Sequence, residues 1–288
     1  LSVISQELDA EDCVTVLNNY FGIMTPTIQK YDGEINEFLG DAILAIFGAP
    51  VATEDHASKA LACSIEMQNG MVEVNERNRA LGLPTIEMGI ALNTGEVVVG
   101  NIGSERRQKY GVVGHHVNLT GRIESFTVGN QVMVSEYTIN RLDSKVKVAQ
   151  SLDVEAKGIK DPVKIFEVEG IGEPYNLTLV TAQQKMKPLG EALYISFNTL
   201  SGKAVADETL EGHIVEVSKN GATMETASEL DILTNLRITV PSFVDGENDQ
   251  VFAKVTEDLG PGDGPNRYHI TLTSASRVIR KYIKSLAV

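Results

Sequence analysis

The sequence predicts a mixed α/β domain followed by a small all-β domain. Three observations carry this. From residue 9 to about residue 170, helical and strand periodicities alternate, the pattern of helices layered on a sheet. Beyond Gly170, short strand-like runs succeed one another at even spacing, as in a small barrel or sandwich. Between the two, Gly172, Pro174, Lys187, Pro188 and Gly190 punctuate residues 171–190, which reads as a linker. The expected domains are therefore residues 1–174 and 175–288.

The first helix is expected over Asp9 to Lys30, with Val14, Leu17, Phe21 and Met24 on its apolar face and Asp9 as N-cap. Glu34 to Phe47 holds two Ile- and Phe-rich runs around Gly40-Asp41, a β-hairpin pattern. Ala57 to Leu81 forms a second amphipathic helix through Leu61, Ile65, Met67 and Val72, and Gly82 and Pro84 end it. Strands are expected at Ile86–Ala91, Val97–Val99 and Tyr110–Val113, with a bend at Gly100–Gly103. A helix at Val117–Phe126 and a strand at Gln131–Val134 complete the pattern. In the second domain the strands are Ala192–Phe197, Leu210–Val217, Ala222–Thr226, Leu236–Val240, Val251–Thr256 and Tyr268–Thr273. A helix from Ser276 to Leu286 closes the chain.

Composition excludes several classes. With 42% hydrophobic and 22% charged residues among 288, the chain can build a core, and disorder is not its main state. No apolar run approaches the roughly 18 residues of a membrane-spanning helix. A net charge of −14 argues against a nucleic-acid backbone binder. Cys13 and Cys63 fall in amphipathic stretches and read as buried thiols in a reducing cytoplasm, with neither disulfide nor zinc. The chain begins at Leu1 without Met or a leader, so a front part, and any membrane attachment it carries, is expected to lie upstream.

Two segments carry chemistry. Asp41, at the tip of the hairpin, is exposed and available to a hard cation such as Mg²⁺, although Gly-Asp alone is accounted for by turn chemistry. Asn118 and Arg122 are four apart and share one helix face. There an amide and a guanidinium can meet a ribose and a phosphate developing charge, although taken alone the pair reads as an exposed helix surface.

With their flanks, these segments resemble the class III nucleotidyl cyclases. Gly33–Pro50 resembles that family's hairpin, Gly89–Gly103 and Tyr110–Ser125 resemble its next segments in order, and Ala156–Val163 resembles its closing Lys-Gly segment. The resemblance spans residues 1 to about 170 and implies a ferredoxin-like α/β cyclase domain working as a homodimer. It implies conversion of a nucleoside triphosphate to a 3′,5′-cyclic monophosphate and pyrophosphate, with two divalent cations, Mg²⁺ or Mn²⁺. It assigns Asp41 as one metal aspartate and places the other just upstream of Leu1, since Ser2–Leu8 resembles the family's stretch immediately after that aspartate's segment. It assigns Asn118 to the ribose, Arg122 to the transition state and Lys157 to phosphate, all three from the other subunit. The chain departs from the family in carrying Glu87 where an Arg is common and His115 after Gly114.

The residues at the base-selecting positions are Glu37 and Gly111. Adenylyl cyclases place Lys at the first position and Asp or Thr at the second. Guanine presents N1–H and N2–H donors that one carboxylate can accept together, whereas adenine turns the N1 lone pair toward it. Glu37 therefore favours GTP, with ATP as the alternative substrate. Gly111 contributes no side chain to O6, so that contact falls to backbone, water or nothing. A catalytically idle cyclase-like module is the competing reading from another class.

In the second domain, Glu216-Val217-Ser218-Lys219-Asn220-Gly221 resembles the Asp-x-Ser-x-x-Gly motif of PilZ barrels, which bind cyclic di-GMP together with an upstream Arg-x-x-x-Arg. Here only Lys185 and Lys187 stand nearby, and lysine does not reproduce the arginine fork. The expectation is a small PilZ-like β-barrel, with packing or dimer control as the alternative to ligand binding.

Overall fold

A computed structural model of the chain describes residues 8–104, 106–155, 162–180, 185–201, 204–241, 250–261 and 264–285. It divides into two compact units between Thr181 and Ala182.

In the first unit, helix α1 (Ala10–Lys30) starts at Asp9, whose carboxylate accepts the Asp12 N–H at 2.9 Å. Glu11 and Asp12 in the first turn and Lys30 in the last complement the helix dipole. Its buried stripe is Val16, Tyr20, Met24 and Ile28, one strict four-residue row, and Val14 is exposed. The observed face is thus rotated about the helix from the expected one, because aromatic and aliphatic residues occur on several faces of this segment. Helix α2 (His56–Ala80) buries Leu61, Ile65, Met67, Met71 and Val74, while Val72 is exposed. Cys63 is buried and its thiol is pushed up to about 12, by burial first and the Glu66 charge second. Cys13 is only half-buried, so the expectation of two buried thiols holds for Cys63 alone.

The central sheet has the order β3 (Ile90–Leu92), β6 (Val132–Ser135), β8 (Val163–Ile171), β7 (Val146–Val154), with the short β9 (Leu177–Thr178) beside β8. β3 and β6 are parallel, and β6–β8 and β8–β7 antiparallel. Val132, Val134, Val168 and Ile171 share one core with α1 and α2. The pleat turns Met133 to the opposite face, where helix α3 (His115–Phe126) packs on β3 and β6 and buries Leu119 and Ile123. The short helix α4 (Glu136–Ile139) comes directly after β6 and is capped by Ser135.

Three expectations are corrected. The strand over Ile86–Ala91 shortens to β3, because Asn75 bridges to the Ile86 N–H and carbonyl and holds that stretch to α2. The bend at Gly100–Gly103 is instead strand. β4 (Val98–Ser104) and β5 (Arg107–Val113) form a long antiparallel ribbon, which glycine tolerates when the opposite strand fixes it. Residues 171–190 are not simply a linker. β9 pairs with β8, and Asn69 of α2 binds Thr178 O at 3.0 Å and Val180 N at 2.7 Å, so the first unit extends beyond residue 174.

The second unit is a closed six-stranded barrel. β10 (Lys187–Ser201), β12 (Leu210–Val217), β13 (Gly221–Thr226), β16 (Asn266–Ser274), β15 (Gln250–Pro261) and β14 (Asn235–Thr239) pair in that order, and β14 returns to β10. β11 (Ala204–Val205) is a short appendage of β10. Ile195, Phe197, Met224, Leu236, Val255 and Ile270 fill the interior, and helix α5 (Arg277–Ser285) adds Ile279 and Ile283. Val278, expected on the same face, is exposed.

Ile65 is fully buried between the elements of the first unit. Ile65→Ala should lower unfolding free energy by about 2–5 kcal/mol, read from the urea midpoint at unchanged slope.

Candidate active site

β1 (Glu34–Leu39) and β2 (Ala42–Ile46) form the expected hairpin, with Leu39 opposite Ala42 and Gly40-Asp41 as the two-residue turn. Gly40 has φ +66°, the left-handed value that primed hairpin turns require. Asp41 is exposed at the tip. Phe38 packs at a tilt against Phe21 of α1 with ring centroids 4.5 Å apart, and the Tyr20 ring lies 5.2 Å from that of Phe21. Burial, and after it the Asp41 charge, pushes the Tyr20 hydroxyl well above its ordinary pKa. The hairpin is therefore seated on the packed middle of α1, with Asp41 at a fixed height above it.

A β-bulge falls at Asn36, between the Ile35–Ala45 and Glu37–Leu44 pairs. Bulges re-aim the side chains beyond them. Asn36 Nδ2 donates to the Tyr110 carbonyl of β5 at 3.2 Å, and Glu37 then meets Lys109 of β5 in an ion pair of 2.5 Å. Lys109 and Gly111 are two apart on one strand and so share a face. Glu37 and Gly111, named from the sequence as a pair, thus lie on neighbouring strands, with Lys109 between them. Sequence reasoning missed Lys109; its two-residue spacing from Gly111 is the signal that marks it.

On that face Gly111 stands directly opposite Gly100. No atom lies within 4 Å of where a Gly100 Cβ would be, and a Gly111 Cβ would meet Ile102 Cδ1 at an ordinary 3.5 Å. The ribbon face therefore carries a side-chain-free step. It is flanked by Ile102 and by the Val98–Val113 pair, all three exposed, and ends at the Glu37–Lys109 pair. The step is thus open and apolar, with a charged, hydrogen-bonding end.

Asn118 and Arg122 lie on α3, with Leu119 and Ile123 buried behind them. Among the described residues, neither the Asn118 amide nor the Arg122 guanidinium pairs with another side chain. His116 packs against Gly95, edge-on to Tyr137 at 5.5 Å. Asn93 reaches the His116 carbonyl at 2.9 Å, and Ser135 reaches Asn93 at 2.8 Å. The His115 ring lies 5.6 Å from that of His116. Lys157 lies outside the described residues.

Asp41 and the Asn118–Arg122 pair are held by different parts of the unit, the first by α1 and the second by β3 and β6. A carboxylate oxygen suits a hard cation, but no group of three or more His, Cys, Asp or Glu side chains gathers among the described residues. Asp41 alone does not make a divalent-cation site. A surface depression of about 500 Å³ at Lys145, Lys147, Gly172 and Thr178 belongs to the sheet edge formed by β7, β8 and β9 and contains none of these groups.

In the barrel, Lys187 and Pro188 of β10 pair with Val217 and Glu216 of β12, so the expected motif and its nearest lysine come together. Glu216 accepts from Thr223 Oγ1 at 2.8 Å and lies 3.9 Å from Arg267, and Ser218 Oγ accepts the Gly221 N–H at 3.0 Å. The Glu216 carboxylate is thus held by the barrel's own side chains.

Residues 2–170 match the family described as the adenylate and guanylate cyclase catalytic domain. The crystal structure of the guanylyl cyclase Cya2 superposes with a TM-score of 0.61 at 52% identity, covering 62% of this chain and 91% of that one. That of the adenylyl cyclase CyaB from P. aeruginosa superposes with a TM-score of 0.53 at 30% identity, covering 58% and 87%. Adenylate cyclase 1 of Rhizobium meliloti (strain 1021) is 31% identical over 179 residues, which are 62% of this chain and 27% of that protein. The chain thus spans about a quarter of that relative's length.

The open step makes a stability prediction. Gly111→Asp should change unfolding free energy by no more than about 1 kcal/mol. Gly95→Ala, whose Cβ would come within 2.1 Å of the His116 ring, should destabilise clearly more. Thermal unfolding of the two variants side by side checks both.

Proposed function

The chain belongs to the adenylate and guanylate cyclase catalytic-domain family, and from that membership we propose that it converts GTP to 3′,5′-cyclic GMP and pyrophosphate at a site shared by two copies of itself. The observation that carries the choice of GTP is the Glu37–Lys109 pair at the end of the Gly100–Gly111 step. With guanine on the step, N1–H and N2–H donate to the Glu37 carboxylate, and the Lys109 ammonium donates to O6. That cation is the O6 partner that Gly111 does not provide. Adenine in the same pose turns its amino group toward Lys109 and its N1 lone pair toward Glu37, mismatching both.

Magnitudes favour this exchange. The Glu37–Lys109 pair is solvent-exposed, and such pairs contribute about 0–1 kcal/mol. Each hydrogen bond to a charged group contributes roughly 1.5–3 kcal/mol. Sharing the pair with guanine thus gains more than it costs. The 52% identity to a protein described as a guanylyl cyclase, against 30% and 31% to two described as adenylyl cyclases, supports the same choice.

In this reading Asn118 holds the ribose, and Arg122 meets the negative charge that grows on the α-phosphate as the 3′-oxygen approaches. Lys157 is assigned to phosphate. Asp41 would contribute one carboxylate toward divalent cations, Mg²⁺ or Mn²⁺, whose contribution is to neutralise triphosphate charge. The homodimer is supported by Val98, Ile102 and Val113, an exposed apolar row on a two-stranded ribbon, which by itself is only marginally stable in water. The barrel is assigned a packing or dimer-control role, since Glu216 is already engaged by Thr223 and lies near Arg267 of the barrel itself. No helix among the described residues is long and apolar enough to cross a membrane.

Purified protein should turn over GTP faster than ATP at equal concentration with Mn²⁺ or Mg²⁺; the reverse order overturns the base assignment. Glu37→Lys should lower kcat/KM for GTP by about ten- to hundredfold for each hydrogen bond lost. Combined with Gly111→Asp it should raise use of ATP.

A second prediction addresses the shared site. Asp41→Ala and Arg122→Ala should each be inactive alone, and mixing them should restore one intact site per mixed dimer. Heterodimers that form and stay inactive would refute the sharing.

A further inference from the structure

Helix α3 begins without the usual devices. Its N-cap is Gly114, at φ +153°, so no side chain caps it, and its first turn holds no acidic residue. The direction of such a helix depends on contacts from outside. Leu119 and Ile123 supply apolar ones farther along the helix, and Asn93, the residue after β3, supplies polar ones at its first turn. Its Nδ2 donates to the His116 carbonyl at 2.9 Å and lies 3.3 Å from His116 Nδ1. Its Oδ1 accepts from Ser135 Oγ at 2.8 Å, and Ser135 is fully buried at the end of β6. Thr120 Oγ1 donates to the same His116 carbonyl at 2.8 Å, so that oxygen joins two turns of α3 to Asn93. The His116 ring is wedged between Gly95 and the edge of Tyr137, which blocks rotation of the first turn.

We propose that Asn93 is a positioning residue for turnover. Its amide ties α3 to the ends of β3 and β6 and so sets the direction in which Asn118 and Arg122 project. The inference rests on the reading of those two residues as the ones that meet the substrate. A tilt of α3 about its first turn moves the Arg122 guanidinium further than the backbone, and misplacement by about 1 Å can cost a hundredfold in rate. The base end of the site, Glu37 and Lys109, sits on β1 and β5, and among the described residues none of the hydrogen bonds of the Asn93 side chain reaches either strand.

The test is a comparison of three variants of the full protein. Asn93→Asp keeps the side-chain size and the acceptor for Ser135, but turns an oxygen toward the His116 carbonyl. It should lower kcat for GTP by about ten- to hundredfold, with KM changed by less than about threefold. Thr94→Val removes the neighbouring Thr94–Thr138 hydrogen bond of 2.9 Å, which does not touch α3. It should lower the melting temperature and leave kcat within about twofold of wild type. Arg122→Ala tests the premise. If it loses turnover while Asn93→Asp keeps wild-type kcat, the positioning role is overturned and the site reading stands. If Arg122→Ala keeps full kcat, the site reading falls and the positioning role falls with it. Should Asn93→Asp fail to fold, Asn93→Ala removes the donor without adding charge and is read by the same split between kcat and KM.

Discussion

The first unit depends on the burial of β6. All four of its residues, Val132 to Ser135, are sequestered from water. A strand with no exposed residue must be covered on both faces and paired on both edges. β3 and β8 supply the edges, α1 and α2 one face, and α3 the other. The last residue of the strand is a serine, and its buried hydroxyl accepts from the Thr138 N–H and donates to Asn93. Polar placement at the strand's end is thus set by the same packing that makes the core. The residues proposed to meet the ribose and phosphate inherit their position from it.

Much of this was legible in the sequence. The helices over residues 10–30 and 56–80, the hairpin at Gly40-Asp41 and the six barrel strands arise from periodicity and turn residues, which are local signals. The features that escaped were decided by partners distant in sequence. Gly100 and Gly103 read as a bend because glycine weakens a strand, yet β5 fixes them as strand through cross-ribbon pairing. β7 and β8 carry interspersed charge that hides their alternation, and β9 is fixed by its pairing with β8 and by Asn69 of α2. In α1 several apolar residues compete for the core, and only packing selects the row of Val16, Tyr20, Met24 and Ile28.

The candidate site divides in the same way. Asp41, Asn118 and Arg122 could be named because they stand in segments that resemble a family in order and spacing; turn chemistry and helix spacing alone would not single them out. The contact of Glu37 with Lys109 could not, although spacing from Gly111 marks the lysine, since it depends on a bulge at Asn36 and on the docking of β1 beside β5. Nor could the anchoring of α3, which joins a loop after β3 to the end of β6 and a helix start that lacks a cap of its own. These are contacts between elements, and each is made by a side chain of ordinary type.

The empty step at Gly100 and Gly111 has a consequence in genetics. A glycine codon can become an aspartate codon by a single nucleotide change, and a glutamate codon can become a lysine codon in the same way. Because a Cβ at Gly111 meets only ordinary contacts, a mutation there passes the filter of stability that removes most substitutions near a reaction centre. Glu37 likewise lies outside the core. Under the proposed base assignment, the fold leaves the base-facing edge free to drift by single mutations while β6 and its cover stay fixed, so a change of purine preference would not have to pass through an unfolded ancestor.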